Sequence, residues 1–176
     1  MPGEALMKIE VYSNADEVAQ KAAAFVAAEA RAAVAARGAF VMAVSGGHTP
    51  WQMLRALAGE DVPWDAVHVV QVDERVAPAG DLDRNLTHLH ESLVEHAPLR
   101  PDRIHAMAVE SPNLQAACEE YARTLRTIAG SRLCLTSFTW DSDPTATQLR
   151  SYPGTRSSRS KMQMLRSQDS TREDGE

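Results

Sequence analysis

The chain has 176 residues, of which 44% are hydrophobic, and its formal net charge is −6. This length fits one domain, or one domain followed by a tail. The acidic balance excludes a broadly basic nucleic-acid surface, and the sequence has no apolar run long enough to predict a membrane span or a secretory signal. Two cysteines without CxxC spacing exclude a disulfide framework or a zinc ribbon and indicate a reducing cytoplasm.

The first predicted elements are a short strand and a long helix. Alternating residues at 8–12 predict the strand. Asn14, with Glu17 three residues later, resembles a capping box and predicts the start of an alanine-rich helix. That helix is expected to run to about Arg37 and to end at Gly38.

Two continuous apolar runs follow, at 40–44 and 67–72, and each is typical of a parallel strand covered on both faces. Between them, 51–57 predicts a helix with Pro50 near its first turn.

The next predicted elements are a short helix at about 85–93, a strand at 104–107 and an amphipathic helix at 113–129. Cys118 is on the apolar face of the last helix, which predicts an inert core thiol. Strands that alternate with helices predict βαβ units, and therefore an α/β fold with a doubly wound, mostly parallel sheet.

A glycine turn joins the strand at 40–44 to the helix after it. Its residues are Ser45, Gly46, Gly47, His48 and Thr49. Glycines let backbone N–H groups approach a ligand closely, and a helix N-terminus attracts anions, so the turn can hold a phosphate monoester. It matches neither a Walker loop nor the dinucleotide GxGxxG pattern. The alternative is a tight turn without a ligand.

A charged triplet, Asp73, Glu74 and Arg75, follows the strand at 67–72. Arg75 can bind a phosphate as a fork, and either carboxylate can position a sugar hydroxyl or accept a proton. The alternative is a solvated charge cluster that holds the loop by an ion pair. Because ligands bind at the carboxyl ends of parallel strands, we expect the triplet and the glycine turn to form one site.

The other histidines predict no metal site. His88 and His90 are two residues apart in a predicted helix, so they face different directions. His68 lies inside a strand and is interpreted as a packing residue, while His96 and His105 have no partner visible in the sequence.

The strings 44–50 (VSGGHTP) and 70–78 (VQVDERVAP), with the loop at 83–85 (DRN), resemble the 6-phosphogluconolactonase family, which is related to glucosamine-6-phosphate deaminase. The resemblance covers about 6–130. Arg75 favours the lactonase branch, because the deaminase branch more often has tyrosine at that position.

The resemblance implies a Rossmann-like, NagB-like fold and a cytoplasmic enzyme of the oxidative pentose phosphate pathway. This enzyme would hydrolyse 6-phospho-D-glucono-1,5-lactone to 6-phosphogluconate without a metal or organic cofactor. The resemblance implies catalytic roles for Asp73 near the sugar ring and for Arg75 in contact with the substrate. The residues it implies for substrate or phosphate binding are Ser45, Gly46, Gly47, His48, Thr49, Arg75 and Asn85.

The sequence departs from the family after Gly130. Residues 1–130 contain 27 alanines and 131–176 contain one, and the latter segment has no histidine. The family's general base is a histidine in a Gly-x-Asp-Gly-His-Thr-Ala-Ser motif that belongs in this region. In a shifted reading frame, 135–156 permits an apolar strand, S-D-G-H-T-A-S and a Pro-Gly loop. We therefore expect a C-terminally truncated lactonase domain in 1–130 and a disordered, out-of-frame tail in 131–176.

This departure predicts a chain of low stability and impaired activity, with the strands at 40–44 and 67–72 exposing apolar faces or an unpaired edge. The expected partner is a small phosphosugar lactone, with no nucleic acid and no membrane, and the sequence does not indicate an oligomeric state. The alternatives are a non-catalytic phosphosugar-binding module and a glucosamine-6-phosphate deaminase/isomerase-like enzyme.

Overall fold

The computed structural model describes residues 10–129, 136–139 and 150–151. The helices and strands in chain order are α1 (Ala15–Arg37), β1 (Phe40–Val44), α2 (His48–Leu57), β2 (Val67–Gln71), α3 (Asn85–Leu89), β3 (Ile104–His105), α4 (Leu114–Ala129), β4 (Thr136–Thr139) and β5 (Arg150–Ser151). Short 3-10 turns at Trp64–Ala66 and Pro101–Arg103 precede β2 and β3, and a π turn at His90–Val94 continues α3.

The strands form one sheet in the order β3-β2-β1-β4-β5. The first four are parallel to one another, and β5 pairs antiparallel with β4. Helices α1 and α2 pack on one face of the sheet, while α4 contacts the other through Leu125 and Ile128. The predicted doubly wound, mostly parallel α/β sheet is confirmed.

The predicted ends of α1 are also confirmed. The Asn14 side chain accepts a hydrogen bond from the Glu17 amide at 2.8 Å, and the Glu17 carboxylate accepts one from the Ser13 amide at 3.2 Å. This reciprocal pair satisfies two amides at the helix start. At the other end Gly38 adopts a left-handed φ of 77°, which glycine tolerates without a steric cost.

The expectation that the strands at 40–44 and 67–72 would expose apolar faces or an unpaired edge was wrong for β1 and β2, although Val72, just after β2, is 53% exposed. Phe40 and Val69 are 1% and 0% exposed, within the large core under α1 and α2. On the opposite face, Val41 and Val70 are 6% and 2% exposed. β1 is flanked by β2 and β4, so it has no free edge.

Several predicted boundaries need correction. Of the strand expected at 8–12, residues 10–12 are in no strand and the rest lies outside the described residues. The helix expected at 85–93 is α3 continued by the π turn. The strand expected at 104–107 ends at His105, because the Met107 amide donates to the side chain of Gln71 instead of extending the ladder.

The prediction that Cys118 is a core thiol was also wrong, because this residue is exposed. Tyr121, one turn further along α4, contacts the last residue of β2. Among the described residues, the hydrogen bonds and core packing that join α4 to the sheet are at Tyr121, Leu125 and Ile128, all of which come after Cys118.

No helix among residues 10–129 is long and apolar enough to cross a membrane. Of the segment 131–176, the structure describes only β4 and β5, and the predicted disorder of the remainder lies outside the described residues.

Candidate functional site

The candidate site lies at the carboxyl ends of β1 and β2. The Val72 amide donates to the Val44 carbonyl at 2.8 Å, which holds the two loops leaving these strands side by side. The chain passes from β1 to β2 on one side and returns to β4 on the other. The loop that begins at Ser45 therefore leaves the sheet at its topological switch point, where open α/β sheets bind ligands.

Helix α2 begins at His48, earlier than predicted, so His48 and Thr49 lie in its first turn. Gly47 is the N-cap residue, with a φ of 125° that strongly favours glycine, and no side chain caps the helix. The first turn contains no acidic residue. Its unpaired N–H groups and the positive end of the helix dipole are therefore available to an anion.

Gly46 packs directly against Asn85. A Cβ atom placed on Gly46 would lie 1.9 Å from Asn85 Oδ1, far inside the contact limit. Asn85 is only 7% exposed, so it cannot easily move away. The glycine is needed at this point because the loop and the start of α3 touch.

Asn85 connects the predicted catalytic residues. Its Oδ1 accepts a hydrogen bond from Arg75 Nη1 at 2.7 Å. Its Nδ2 donates to the backbone carbonyl and to Oδ2 of Asp73, at 3.1 and 3.2 Å. The structure therefore brings Gly46, Asp73, Arg75 and Asn85 together.

Arg75 and Asp73 are exposed, whereas the asparagine that holds them is buried. Only Nη1 of the Arg75 guanidinium has a partner among the described residues, so its other N–H groups can bind a phosphate or carboxylate oxygen. Asp73 Oδ1 is similarly open to accept a hydrogen bond from a hydroxyl or a water molecule.

The remaining predicted residues surround this cluster. Ser45 and Thr49 are partly buried on either side of the two glycines. His48 is exposed and lines a groove of about 530 Å³ that lies outside the cluster, between α1, α2 and α3. Trp51 stacks in that groove on His88 at a ring-centroid distance of 3.9 Å.

The sequence predicted that Glu74 either contacts a substrate or belongs to a solvated charge cluster. The structure shows neither, because its side chain is not in contact with solvent and therefore cannot touch a substrate. Its side chain is 0% exposed. Oε1 accepts from the amides of Arg75 and Asn85, both at 2.8 Å. Oε2 accepts from Gln71 Nε2 at 2.8 Å and from the Leu86 amide at 2.9 Å.

The electrostatics of Glu74 follow from these contacts. Burial alone would raise the pKa of this carboxyl, but the hydrogen bonds from Gln71 and from the three amides outweigh burial and hold its pKa below the ordinary 4.5. Arg84 is 3% exposed and places its Nε 3.7 Å from Glu74 Oε2, which gives the buried charge a partner. Arg84 had no assigned role in the sequence, since nothing in its spacing indicates that it is buried.

In the described part of the chain, no group of three or more histidine, cysteine or acidic side chains could hold a metal ion. The cluster at the carboxyl ends of β1 and β2 consists of backbone N–H groups, the amides of Asn85 and Gln71, the guanidinium groups of Arg75 and Arg84, and the carboxylates of Asp73 and Glu74.

Comparison with known proteins gives a family. The profile described as glucosamine-6-phosphate isomerases/6-phosphogluconolactonase matches residues 13–141. A 6-phosphogluconolactonase of Streptomyces coelicolor is 32% identical over 128 residues, covering 68% of this chain and 49% of the relative. One from Mycobacterium tuberculosis is 30% identical over 123 residues, covering 66% of this chain and 50% of the relative. The chain thus spans about half the length of these curated relatives.

Solved structures show the same fold. The 6-phosphogluconolactonase of Thermotoga maritima superimposes with a TM-score of 0.61 at 23% identity, over 70% of this chain and 54% of that one. A monomeric glucosamine-6-phosphate deaminase of the NagB superfamily gives the same TM-score at 20% identity, over 70% and 52% of the two chains. Since the profile covers well over half of the chain, the protein belongs to the glucosamine-6-phosphate isomerase/6-phosphogluconolactonase family.

Proposed function

We propose that this chain binds 6-phospho-D-glucono-1,5-lactone and hydrolyses it to 6-phosphogluconate, the reaction of the oxidative pentose phosphate pathway. The observation that carries the proposal is the contact of Gly46 with Asn85, because it fixes Arg75 and Asp73 beside an uncapped helix N-terminus. Relatives named 6-phosphogluconolactonase support the choice of substrate.

The phosphate group would occupy the loop at 45–49. The N–H groups of the first turn of α2 point out of its N-terminus, and Ser45 and Thr49, on either side of the two glycines, carry hydroxyls that can add hydrogen bonds. Arg75 would bind the substrate through the N–H groups that Asn85 leaves free. In this arrangement the sugar ring extends toward Asp73.

Hydrolysis requires water to attack the lactone carbonyl carbon. The bond between that carbon and the ring oxygen then breaks, and the ring oxygen takes up a proton to become a hydroxyl. Asp73 can accept the proton of the attacking water through its open oxygen and then give it to the departing ring oxygen, which restores the carboxylate. Since the histidine of the family motif does not occur in 131–176, we expect slow turnover.

The test is lactone hydrolysis by the full chain, measured against the spontaneous rate. We expect a small rate above background that Arg75→Ala reduces at least about tenfold, because one charged hydrogen bond contributes about 1.5–3 kcal/mol. Arg37→Ala, at the end of α1, is the matched control and should leave the rate unchanged. Equal rates for the wild type and Arg75→Ala would reject the site.

A second candidate is a phosphosugar-binding module without catalysis. In the described part of the chain, the hydrogen-bond partners of Asp73, Arg75 and Asn85 include no histidine. Binding of 6-phosphogluconate without any rate above background would favour this module. The fold shared with the deaminase makes ammonia release from glucosamine 6-phosphate the test of the third candidate.

Two further proposals concern the gene and the location of the protein. We propose that residues 131–176 are read out of frame relative to a family gene. Resequencing across the codons for residues 130–132 tests this, and an intact frame without a plausible insertion or deletion refutes it. The cysteine usage supports a cytoplasmic location, which fractionation of cells that express the chain would check.

A further inference from the structure

We propose that Glu74 is a positioning residue, which places Arg75 and Asn85 against the glycine turn without touching the substrate. The inference rests on the proposed function, because the site it organises is the proposed lactone site. Its basis is a single buried carboxylate that joins three parts of the fold: the last residue of β2, the loop after it and the first residues of α3.

Glu74 caps the start of α3. Helix α3 has Arg84 as its N-cap, and no side chain of its own segment caps it. Glu74 supplies the missing acceptors, since Oε1 and Oε2 take the amides of Asn85 and Leu86. A carboxylate is favourable at this position because the amides and the helix dipole are both positive. The position of the Asn85 side chain therefore depends on a residue eleven positions earlier in the chain.

Glu74 also sets the orientation of Arg75. The Arg75 amide donates to Glu74 Oε1, the same oxygen that accepts from the Asn85 amide. One oxygen thus fixes both backbones, and the side chains of the two residues meet at 2.7 Å. A shift of Glu74 would separate them and would also release the contact of Asn85 with Gly46.

The hydrogen bonds to residue 74 require a carboxylate. Four N–H groups converge on its two oxygens, and all four need an acceptor. Glutamine offers one acceptor oxygen, and its amide nitrogen would face two donors. Glu74→Gln has nearly the same shape but leaves two of the four donors unpaired, either those on Oε1 or those on Oε2. Glu74→Asp keeps the charge and shortens the side chain by one methylene.

The experiment compares the full-length wild type with Glu74→Gln, Glu74→Asp and the matched control Glu29→Gln, which is exposed on α1. The first readout is amide hydrogen exchange by NMR. We expect Glu74→Gln to lower protection at least about tenfold at the amides bonded to the oxygen that the new nitrogen replaces, which are those of Arg75 and Asn85 for Oε1 or that of Leu86 for Oε2, while amides of α1 keep their protection. The second readout is the Kd for 6-phosphogluconate, which should rise at least about tenfold in Glu74→Gln and less in Glu74→Asp.

The outcomes separate this inference from the proposed function. Wild-type affinity and wild-type protection in Glu74→Gln would overturn the positioning role even if the lactone is hydrolysed. Uniform loss of protection across α1 would also overturn it, because Glu74 would then act on global stability. If the wild type does not bind 6-phosphogluconate, but Glu74→Gln loses protection only at the amides bonded to the replaced oxygen, the positioning role stands and the proposed function fails.

Discussion

The two ends of β2 carry two different kinds of polar cluster. At the carboxyl end, Glu74 pairs with the positively charged Arg84 and accepts a hydrogen bond from the Asn85 amide. The Asn85 side chain in turn accepts a hydrogen bond from Arg75. Near the amino end, His68 stacks on His105 of β3, and Arg103 donates to His68 Nε2. The cluster favours neutral imidazoles, since a protonated histidine would place a second cation next to Arg103. The same strand thus combines a site built around a charge with a cluster that disfavours further charge.

The hydrogen bonds of the second cluster show this directly. Arg103 can only donate, so His68 Nε2 must accept, and the proton of the neutral ring is then on Nδ1. That Nδ1 lies 2.9 Å from His105 Nε2 and donates to it. Burial, and then the charge of Arg103, lower the pKa of both histidines below the ordinary 6.5.

The largest effect is expected at the carboxyl end, from Gly46→Ala. The new methyl group would overlap the Asn85 side chain, which is buried and bonded to Arg75. We expect a loss of about 1–3 kcal/mol in the free energy of unfolding and at least a tenfold rise in the Kd for 6-phosphogluconate. Urea melts and calorimetric titration measure the two quantities.

The matched control for this substitution is Gly59→Ala. A Cβ atom there would meet its nearest neighbour, the Ala56 carbonyl oxygen, at an ordinary 3.5 Å. Similar losses in both variants would mean that the contact of Gly46 with Asn85 has no special role.

A smaller effect is expected from Tyr121→Phe, which tests how α4 holds the same end of β2. The Tyr121 hydroxyl accepts from the Gln71 amide at 2.8 Å and donates to the Gln71 carbonyl at 2.7 Å. Burial raises the pKa of Tyr121 to about 12, so the hydroxyl stays protonated at neutral pH. Removing it leaves both backbone groups unpaired, and we expect a loss of about 1–2 kcal/mol in thermal or urea unfolding.

Tyr12→Phe is the control for that measurement. The Tyr12 hydroxyl donates to an exposed Glu10 carboxylate, so its removal should leave the free energy of unfolding almost unchanged. A loss in Tyr121→Phe no greater than in Tyr12→Phe would contradict the link between α4 and β2.

The smallest effect concerns the histidine cluster. Because the folded pKa values of His68 and His105 lie below their unfolded values, the unfolded chain binds more protons near pH 6. The free energy of unfolding that depends on these two neutral histidines is fully present above pH 6.5. It is lost as the pH falls from 6.5 toward their lowered pKa values in the folded chain. After allowance for solvent screening, we expect on the order of 0.5 kcal/mol.

Urea melts of His68→Gln at pH 8 and pH 5.5 check this prediction. The variant should lose less stability on acidification than the wild type, whereas the control His96→Gln, exposed after the π turn, should behave like the wild type. If His68→Gln and the wild type lose the same stability on acidification, the His68–His105 cluster does not contribute to the pH dependence.

The sequence was sufficient to predict the fold and the parts of the site that follow local rules. The caps of α1, the two buried strands and the glycine turn each have short-range signals, and all three elements are present. Long-range contacts had no such signal. Nothing in the sequence indicates that Glu74 turns inward to cap α3 or that Arg84 is buried beside it. Nor does the sequence indicate that His68 of β2 contacts His105 of the adjacent strand β3.

The exposure of Cys118 is a second example of a feature that local sequence patterns do not predict. Helical spacing placed it on the apolar face of its helix, but the spacing does not show where along that helix the sheet ends. Periodicity predicts which face is covered, and only the packed structure shows how far the cover extends.

The central claim is that the glycine turn and Arg75 hold the phosphate of a phosphosugar. Its most direct test is a ³¹P NMR titration of 6-phosphogluconate with the full chain, alongside a calorimetric titration with gluconate. The account predicts a shift of the phosphate resonance that Arg75→Ala and Gly46→Ala both weaken, and no measurable binding of gluconate. Equal binding of both sugars, or a phosphate shift that survives both substitutions, would contradict it.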